Sequence, residues 1–373
     1  MTTLSPLLDL DDADGLVAAD VDGALRSAAL AGAQVRATAT TFAESVGNRL
    51  HDLRPRSVVF VAGDGRAGRA ASLLIASVSA RIGVPLVRTP GTPSWVGPLD
   101  VVVVSGDDAG DPRLSESVAA AVRRGAETIV VTPDEGPLRS AAGGRALFVE
   151  PRIAVREHNS LMRYLAAGVC VLASISEGNY RPLLPDLALL ADSLDDEAAR
   201  DHPVHEVFHN PAKSVATRMA GRRVVFSGAG AVATELARHG SEVMLRAAGV
   251  VTATGELADV IAAEVEASRS SRAQLPAADY DPFFHDEQVD GPRPEAPIRV
   301  LVAAPNALSQ ETQRRTAALA DADVLVVSAL EPTSVVGDVQ TSRPNGFGDI
   351  EAMALLATRL EMAAAYLRLI GGG

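Results

Sequence analysis

The chain has 373 residues, 47% of them hydrophobic and 22% charged, with a formal net charge of −13. That length supplies two domains with cores of their own, and the apolar content excludes a chain disordered throughout. The acidic balance excludes the basic stripe of a nucleic-acid or anionic-membrane surface, but leaves an anionic small molecule open, because helix N-termini supply local positive potential.

The aromatic share of 3% means cores built from Ala, Val and Leu. Cys170 is the only cysteine, so no intrachain disulfide forms, and its apolar run Ala166–Ile175 marks it as core packing. The first fifteen residues lack a basic region followed by an apolar run, and no apolar run reaches a membrane span, so the expectation is a cytoplasmic protein.

Asp11–Leu50 carries apolar residues at helical spacing (Val17, Val21, Leu25, Ala28) and predicts one or two helices. Val58–Ala62 is a buried strand, followed by the turn Gly63-Asp64-Gly65-Arg66-Ala67-Gly68 and a helix over Ala70–Ile82. Strands at Pro85–Arg88, Asp100–Val104, Thr128–Val131 and Ala146–Val149 alternate with helices at Leu114–Arg124 and Pro137–Ala142, the signature of a parallel sheet covered on both faces. Pro151–Ile175 reads as one long helical stretch, and Arg181–Arg200 as connecting sequence. A second half repeats the device: helix Pro211–Ala220, strand Arg223–Ser227, the turn Gly228-Ala229-Gly230, helix Val232–Ala247, a helix near Leu257–Ala267, strand Ile298–Ala303, helix Gln310–Ala320, strand Ala322–Val327 and helix Asp349–Ile370. Ser268–Pro297 and Glu331–Gly348 are long loops. The division is an N-terminal domain over 1–180, a linker over 181–210 and a C-terminal domain over 211–373.

Four constellations carry chemistry. The first turn satisfies G-x-G-x-x-G between strand and helix, but the acid that would hold a ribose is missing after the next strand, which ends in Arg88-Thr89. Val104-Ser105-Gly106 closes a buried strand where open α/β sheets bind ligands, yet Asp107, Asp108 and Asp111 follow and repel an anion. His202, His205, His209 and Glu206 fall at helical spacing, but Pro203 and Pro211 break the helix that a metal site would need, and no metal is expected. His285, in Phe283-Phe284-His285-Asp286-Glu287, stands beside carboxylates able to tune an acid–base group, or is a solvated loop histidine.

With both halves laid out, the chain resembles the sugar isomerase (SIS) family, in its bifunctional phosphoglucose/phosphomannose isomerase branch. The resemblance rests on Asn210-Pro211-Ala212-Lys213 through Ala220-Gly221-Arg222 to Ser227-Gly228-Ala229-Gly230. Ser94-Trp95-Val96-Gly97-Pro98, Pro151-Arg152 and the closing helix Asp349–Leu369 add to it. It implies two tandem doubly wound α/β domains with parallel sheets, a homodimer, and aldose–ketose isomerisation of glucose or mannose 6-phosphate with fructose 6-phosphate. Such enzymes work through an enediol without metal, nucleotide or other cofactor. A glutamate moves the proton, a histidine helps open the ring, and hydroxyl-rich loops hold the phosphate.

The sequence departs from that pattern at each part. The family's phosphate loop, Ser-x-Ser-Gly-Asn-Thr-Glu-Glu, is here Val103-Val104-Ser105-Gly106-Asp107-Asp108-Ala109, with Asp108 where a threonine hydroxyl would face the phosphate. Counting without gaps, the glutamate's place falls on Leu245, while Glu242 lies nearly a turn earlier on the same helix. The family's C-terminal lysine has no counterpart before Gly373. Two readings follow. In one, Glu242 is a displaced base and His285 the shuttle, with Gly63, Gly65, Ser105, Gly106, Arg152, Gly228 and Gly230 around the sugar phosphate. In the other, a relative binds the sugar phosphate without catalysis. A dinucleotide-binding protein is a distant third.

Overall fold

The computed structural model describes residues 8–271, 296–305, 308–327 and 348–371. It opens with three helices, α1 (Ala13–Ala19), α2 (Ala24–Ala29) and α3 (Ala31–Ser45), where one or two were expected. The extra break has a local cause. Gly23 takes a left-handed φ of 66°, and the Asp20 carboxylate accepts from Ala24 N and Leu25 N at 2.6 and 3.0 Å, capping α2.

The first sheet comprises β1 (Ser57–Val61), β2 (Leu86–Thr89), β3 (Asp100–Ser105), β4 (Glu127–Val131) and β5 (Leu147–Phe148), all parallel in the order β2-β1-β3-β4-β5. Helices α4 (Arg66–Val78), α5 (Pro112–Arg123) and α6 (Gly136–Ala142) connect them. Every residue of β1 and β3 is buried, which is why both read as valine-rich apolar runs. The chain moves from β1 to one neighbour, β2, and then crosses to the other, β3, so the order reverses between β1 and β3. A crevice opens at the carboxyl ends of strands at such a reversal.

The long helix expected from Pro151 begins later, as α7 (Leu161–Ser174), after a single 3-10 turn at Glu157–Asn159. Residues before it have long-range partners in place of helical ones: Arg156 N donates to Ser27 Oγ at 2.8 Å. The stretch read as connecting sequence carries α8 (Leu187–Arg200), capped by Asp186 and tied to α3 through Arg36 with Asp192 and Asp195.

The second half holds α9 (Pro211–Met219), β6 (Arg223–Gly228), α10 (Ala231–Ala248), β7 (Ala253–Glu256), α11 (Leu257–Ser271), β8 (Ile298–Ala303), α12 (Ser309–Thr316), β9 (Ala322–Leu325) and α13 (Asp349–Gly371). Its sheet is parallel, β7-β6-β8-β9, repeating the β2-β1-β3-β4 order of the first. The edge strand β7, Ala-Thr-Gly-Glu, is mostly exposed and escapes the sequence reading because it has no apolar run. Most of Glu331–Gly348 and most of Ser268–Pro297 lie outside the described residues.

One apolar core runs under both sheets, and α13 is its axis, buried on nearly every face from Ile350 to Leu367. Its alanines, among them Ala352, Ala357, Ala364 and Ala365, let α10, α9 and α8 pack closely. Cys170 is buried as expected, and burial pushes its thiol up to about 12. The sole lysine, Lys213, is also buried, with Nζ donating to the carbonyls of Pro203 and His205 at 2.7 Å.

Beside α13, Asp201 accepts from Ala212 N at 2.9 Å through its carboxylate, and its carbonyl accepts from Tyr366 Oη at 2.6 Å. Burial, reinforced by the neighbouring Glu197 charge, pushes the Asp201 carboxyl up to about 8 from an ordinary 3.8. Between those values the folded chain holds a proton that the unfolded chain releases, so this group's contribution to stability falls as pH rises and then levels off. Asp201→Asn keeps the acceptor and cannot ionise. Its Tm relative to wild type should therefore climb from about pH 5 to about pH 8. An offset independent of pH in a thermal melt would show that the carboxyl is already ionised in the fold.

Candidate functional site

The crevice between β1 and β3 is occupied by side chains. The turn after β1 delivers Arg66 to the first residue of α4, where it is 4% exposed. The turn is tight because Gly68 packs on Gly63: a Cβ there would lie 1.8 Å from the Gly63 carbonyl oxygen. Arg88, at the end of β2, closes the outside of the turn, donating to Asp64 Oδ1 at 2.9 Å and Gly63 O at 3.3 Å. It thus serves the turn itself.

Arg66 spends its donors on three acceptors. Nη2 reaches Asp107 Oδ2 at 2.9 Å, Nη1 reaches Glu242 Oε1 at 2.9 Å, and Nε reaches the Glu157 carbonyl at 3.0 Å. The Glu157 carboxylate stands 3.5 Å away. Burial works against the guanidinium charge, but the hydrogen bond to Glu242 and the charges of Asp107, Glu242 and Glu157 outweigh it and hold the group above its ordinary range. Asp107 follows β3 and is also bonded by Tyr164 Oη at 2.6 Å, Arg163 Nη2 at 2.9 Å and Ser160 Oγ at 3.2 Å, all from the start of α7.

Glu242 comes from the second domain. It lies on α10, which packs on α4, and it would be the nearest neighbour, at 3.9 Å, of a Cβ placed on Gly65. Arg69 and Glu235 make a second bond between the two helices at 2.7 Å. Arg66 pairs late in α10 and Arg69 pairs early, so the helices run antiparallel. Glu242 stands about 16 Å along α10 from its first residue at 1.5 Å per residue. The turn containing Gly228 and Gly230 is therefore at the other end of the helix pair from Gly63 and Gly65.

Among the sequence candidates, the structure brings Gly63, Gly65 and Glu242 together, with Ser105 and Gly106 leading into Asp107. It does not bring Gly228 and Gly230 there. Arg152 is exposed and paired with Glu44 of α3. His285 lies outside the described residues. Asp108, expected to face a phosphate, turns outward and accepts from Gly110 N at 2.7 Å. The carboxylate that points inward is its neighbour, Asp107.

The sequence reading missed Arg66, Asp107, Glu157, Arg163 and Tyr164, and it missed His158. Burial, with Arg156, Arg246, Arg66 and Arg368 around it, lowers the His158 imidazole to about 4, so it is neutral at neutral pH. Position alone offered one signal: Arg66 opens the helix that follows β1, and Asp107 stands two residues past the end of β3, the two strands that flank the reversal.

No protein-family model matches the chain, and no curated protein matches it. Solved structures do. A candidate phosphosugar isomerase from Silicibacter pomeroyi is similar over 92% of this chain and 96% of its own, with 15% identity and a TM-score of 0.61. The C-terminal domain of glucosamine-fructose-6-phosphate aminotransferase from Francisella tularensis matches over 91% and 94%, at 10% identity and a TM-score of 0.54. Glucosamine-6-phosphate deaminase from Thermotoga maritima matches over 94% and 95%, at 12% identity and a TM-score of 0.52. At these identities the likeness is one of fold: two tandem SIS-type α/β domains with parallel sheets. No helix among the described residues is long and apolar enough to cross a membrane.

Replacing Arg66 by Met removes the cation between Asp107 and Glu242, leaving Asp107 to Arg163 alone and Glu242 without its partner. The variant should lose about 3 kcal/mol of unfolding free energy in urea, the cost of breaking a buried pair. A loss below about 1 kcal/mol, the scale of an exposed pair, would mean that the cluster is solvated.

Proposed function

We propose that the chain is a phosphosugar isomerase-like protein whose substrate site lies at the Gly63–Gly65 turn and whose proton-moving group is Glu242. The observation that carries this reading is the delivery of a second-domain carboxylate onto a first-domain glycine turn at the sheet's point of reversal. That is where an open α/β sheet binds ligands, and a carboxylate held there can pass a proton between adjacent carbons of a bound sugar. The similar solved structures named for sugar-phosphate enzymes support the substrate class. The sequence resemblance supports glucose or mannose 6-phosphate with fructose 6-phosphate as the pair, His285 as the ring-opening shuttle, and a homodimer in the cytoplasm.

One observation favours the second reading, binding without turnover. Glu242 Oε1 is engaged by Arg66, and an oxygen tied to a guanidinium is not free to accept a substrate proton.

The two readings separate when the full chain is incubated with fructose 6-phosphate in D₂O and followed by NMR. An isomerase incorporates deuterium at C1, and Glu242→Gln lowers that exchange by about 10²-fold or more, the usual scale for a positioned base. Exchange unchanged in the variant removes Glu242 from the role. Bound fructose 6-phosphate without exchange establishes the second reading, and no binding at all overturns both.

A further inference from the structure

Asp107 collects its donors unevenly, three on one carboxylate oxygen and one on the other. Its Oδ1 is approached by Tyr164 Oη, Arg163 Nη2 and Ser160 Oγ, while Oδ2 takes Arg66 Nη2. Three donors crowd an oxygen with two lone pairs. Ser160 Oγ accordingly divides itself between Asp107 and the Glu157 carbonyl, 2.7 Å away. The Arg163 Nε is buried and has no hydrogen-bond partner. Burial pushes the Tyr164 phenol up, so it keeps its proton and remains a donor. Arg66 and Arg163 have side chains only 5% and 12% exposed, so their charges act where water screens them little.

Such a cradle has the donor number of a site for a tetrahedral oxyanion. A phosphate offers three or four oxygens in place of two, enough to divide the Oδ1 donors and to reach the orphaned Nε. Charge decides whether it can enter. The two guanidinium groups are matched by Asp107 and Glu242, with the Glu157 carboxylate a further 3.5 Å neighbour of Arg66, so a dianion comes in only if a carboxylate withdraws. Asp107 is the one placed to do so. Both side chains are 20% exposed, but Asp107 stands on the loop between β3 and α5, whereas Glu242 is fixed to a long helix.

We propose that Arg66, Ser160, Arg163 and Tyr164 form a phosphate site, and that Asp107 is its internal occupant, displaced when a phosphate or phosphate ester binds. The identity of the ester rests on the sugar-phosphate reading above; the oxyanion site does not. Asp107 is thereby an autoinhibitory contact. Ligand affinity is reduced by the fraction of molecules in which the carboxylate holds the cradle.

The test uses inorganic phosphate and the full chain, so that it is independent of sugar recognition and of turnover. Binding is followed by calorimetry for wild type, Asp107→Asn, Asp107→Ala and each of these combined with Arg163→Gln. Removing the internal charge should tighten phosphate binding by about tenfold or more, and Arg163→Gln should cancel the gain. Folded Asp107 variants that bind phosphate no tighter than wild type would overturn the proposal, as would a gain that survives Arg163→Gln. Loss of fold in both Asp107 variants, seen by circular dichroism, would overturn it as well, since it makes the carboxylate a structural partner and not an exchangeable one. Success here with no deuterium exchange into fructose 6-phosphate would leave the oxyanion site standing and remove only the isomerase reading.

Discussion

A guanidinium buried at the first residue of a helix is the constraint on which the rest of this site depends. Two forces oppose it: the positive end of the α4 dipole and the loss of water around the charge. Arg66 is stable there only because three different parts of the chain bring acceptors to it: the loop after β3 with Asp107, the turn before α7 with the Glu157 carbonyl, and α10 of the other domain with Glu242. The anion that a helix N-terminus attracts is thus supplied from within. The same pairings fix how the two domains meet, since Arg69–Glu235 and Arg246–Glu157 bridge the same junction on either side of Arg66.

A second layer of buried polar groups holds the acceptors in place. Asn159, in the turn that presents the Glu157 carbonyl, donates to Glu361 Oε2 at 2.8 Å and accepts from Ser27 Oγ at 2.8 Å. Its carbonyl accepts from Gln34 Nε2 at 2.9 Å. The other oxygen of Glu361 lies 3.0 Å from Nε2 of His239, on the same helix as Glu242. The turn, α2, α3, α10 and α13 are therefore connected through one hydrogen-bonded set with little access to water, where each bond is strong and each missing partner costly. The position of the site follows from the packing of α13 as much as from the glycine turn.

The strands and their order of appearance were legible in the sequence because parallel strands buried on both faces must be apolar runs, and β1, β3, β6 and β8 are such runs. The edge strand β7 has no such requirement and left no trace. Glu242 was named as a candidate through a resemblance that supplied a helix and an approximate turn. Arg66 was not found, because within Gly63–Gly68 it occupies a position that the glycine pattern leaves unspecified. The acidic loop shows the limit most directly. Asp107 and Asp108 are adjacent and chemically alike, and the sequence reading put Asp108 in the place that faces the phosphate. Only the path of the loop, set by the Asp108–Gly110 bond, decides which carboxylate turns inward. The antiparallel run of α4 and α10 is equally invisible in one dimension, so two similar turns gave no hint that they would stand at opposite ends of a helix pair.

That asymmetry bears on the chemistry. Although the two halves share a strand order, one contributes a turn and the other a helix face, so a ligand at the first turn meets a carboxylate where a symmetric arrangement would supply a second set of backbone donors. Glu242 and Asp107 compete for the same guanidinium, one through Nη1 and the other through Nη2. Under the proposed reading, a phosphate group taking the place of Asp107 gives Arg66 a stronger partner on its Nη2 side and more negative charge overall. The hold of Arg66 on Glu242 then weakens relative to that new partner, and the carboxylate becomes the better proton acceptor at the moment a sugar is present. Binding and catalytic readiness are thereby coupled through one side chain. The choice between an isomerase and a silent binder rests on how far Arg66 shifts its charge from the helix carboxylate to the phosphate.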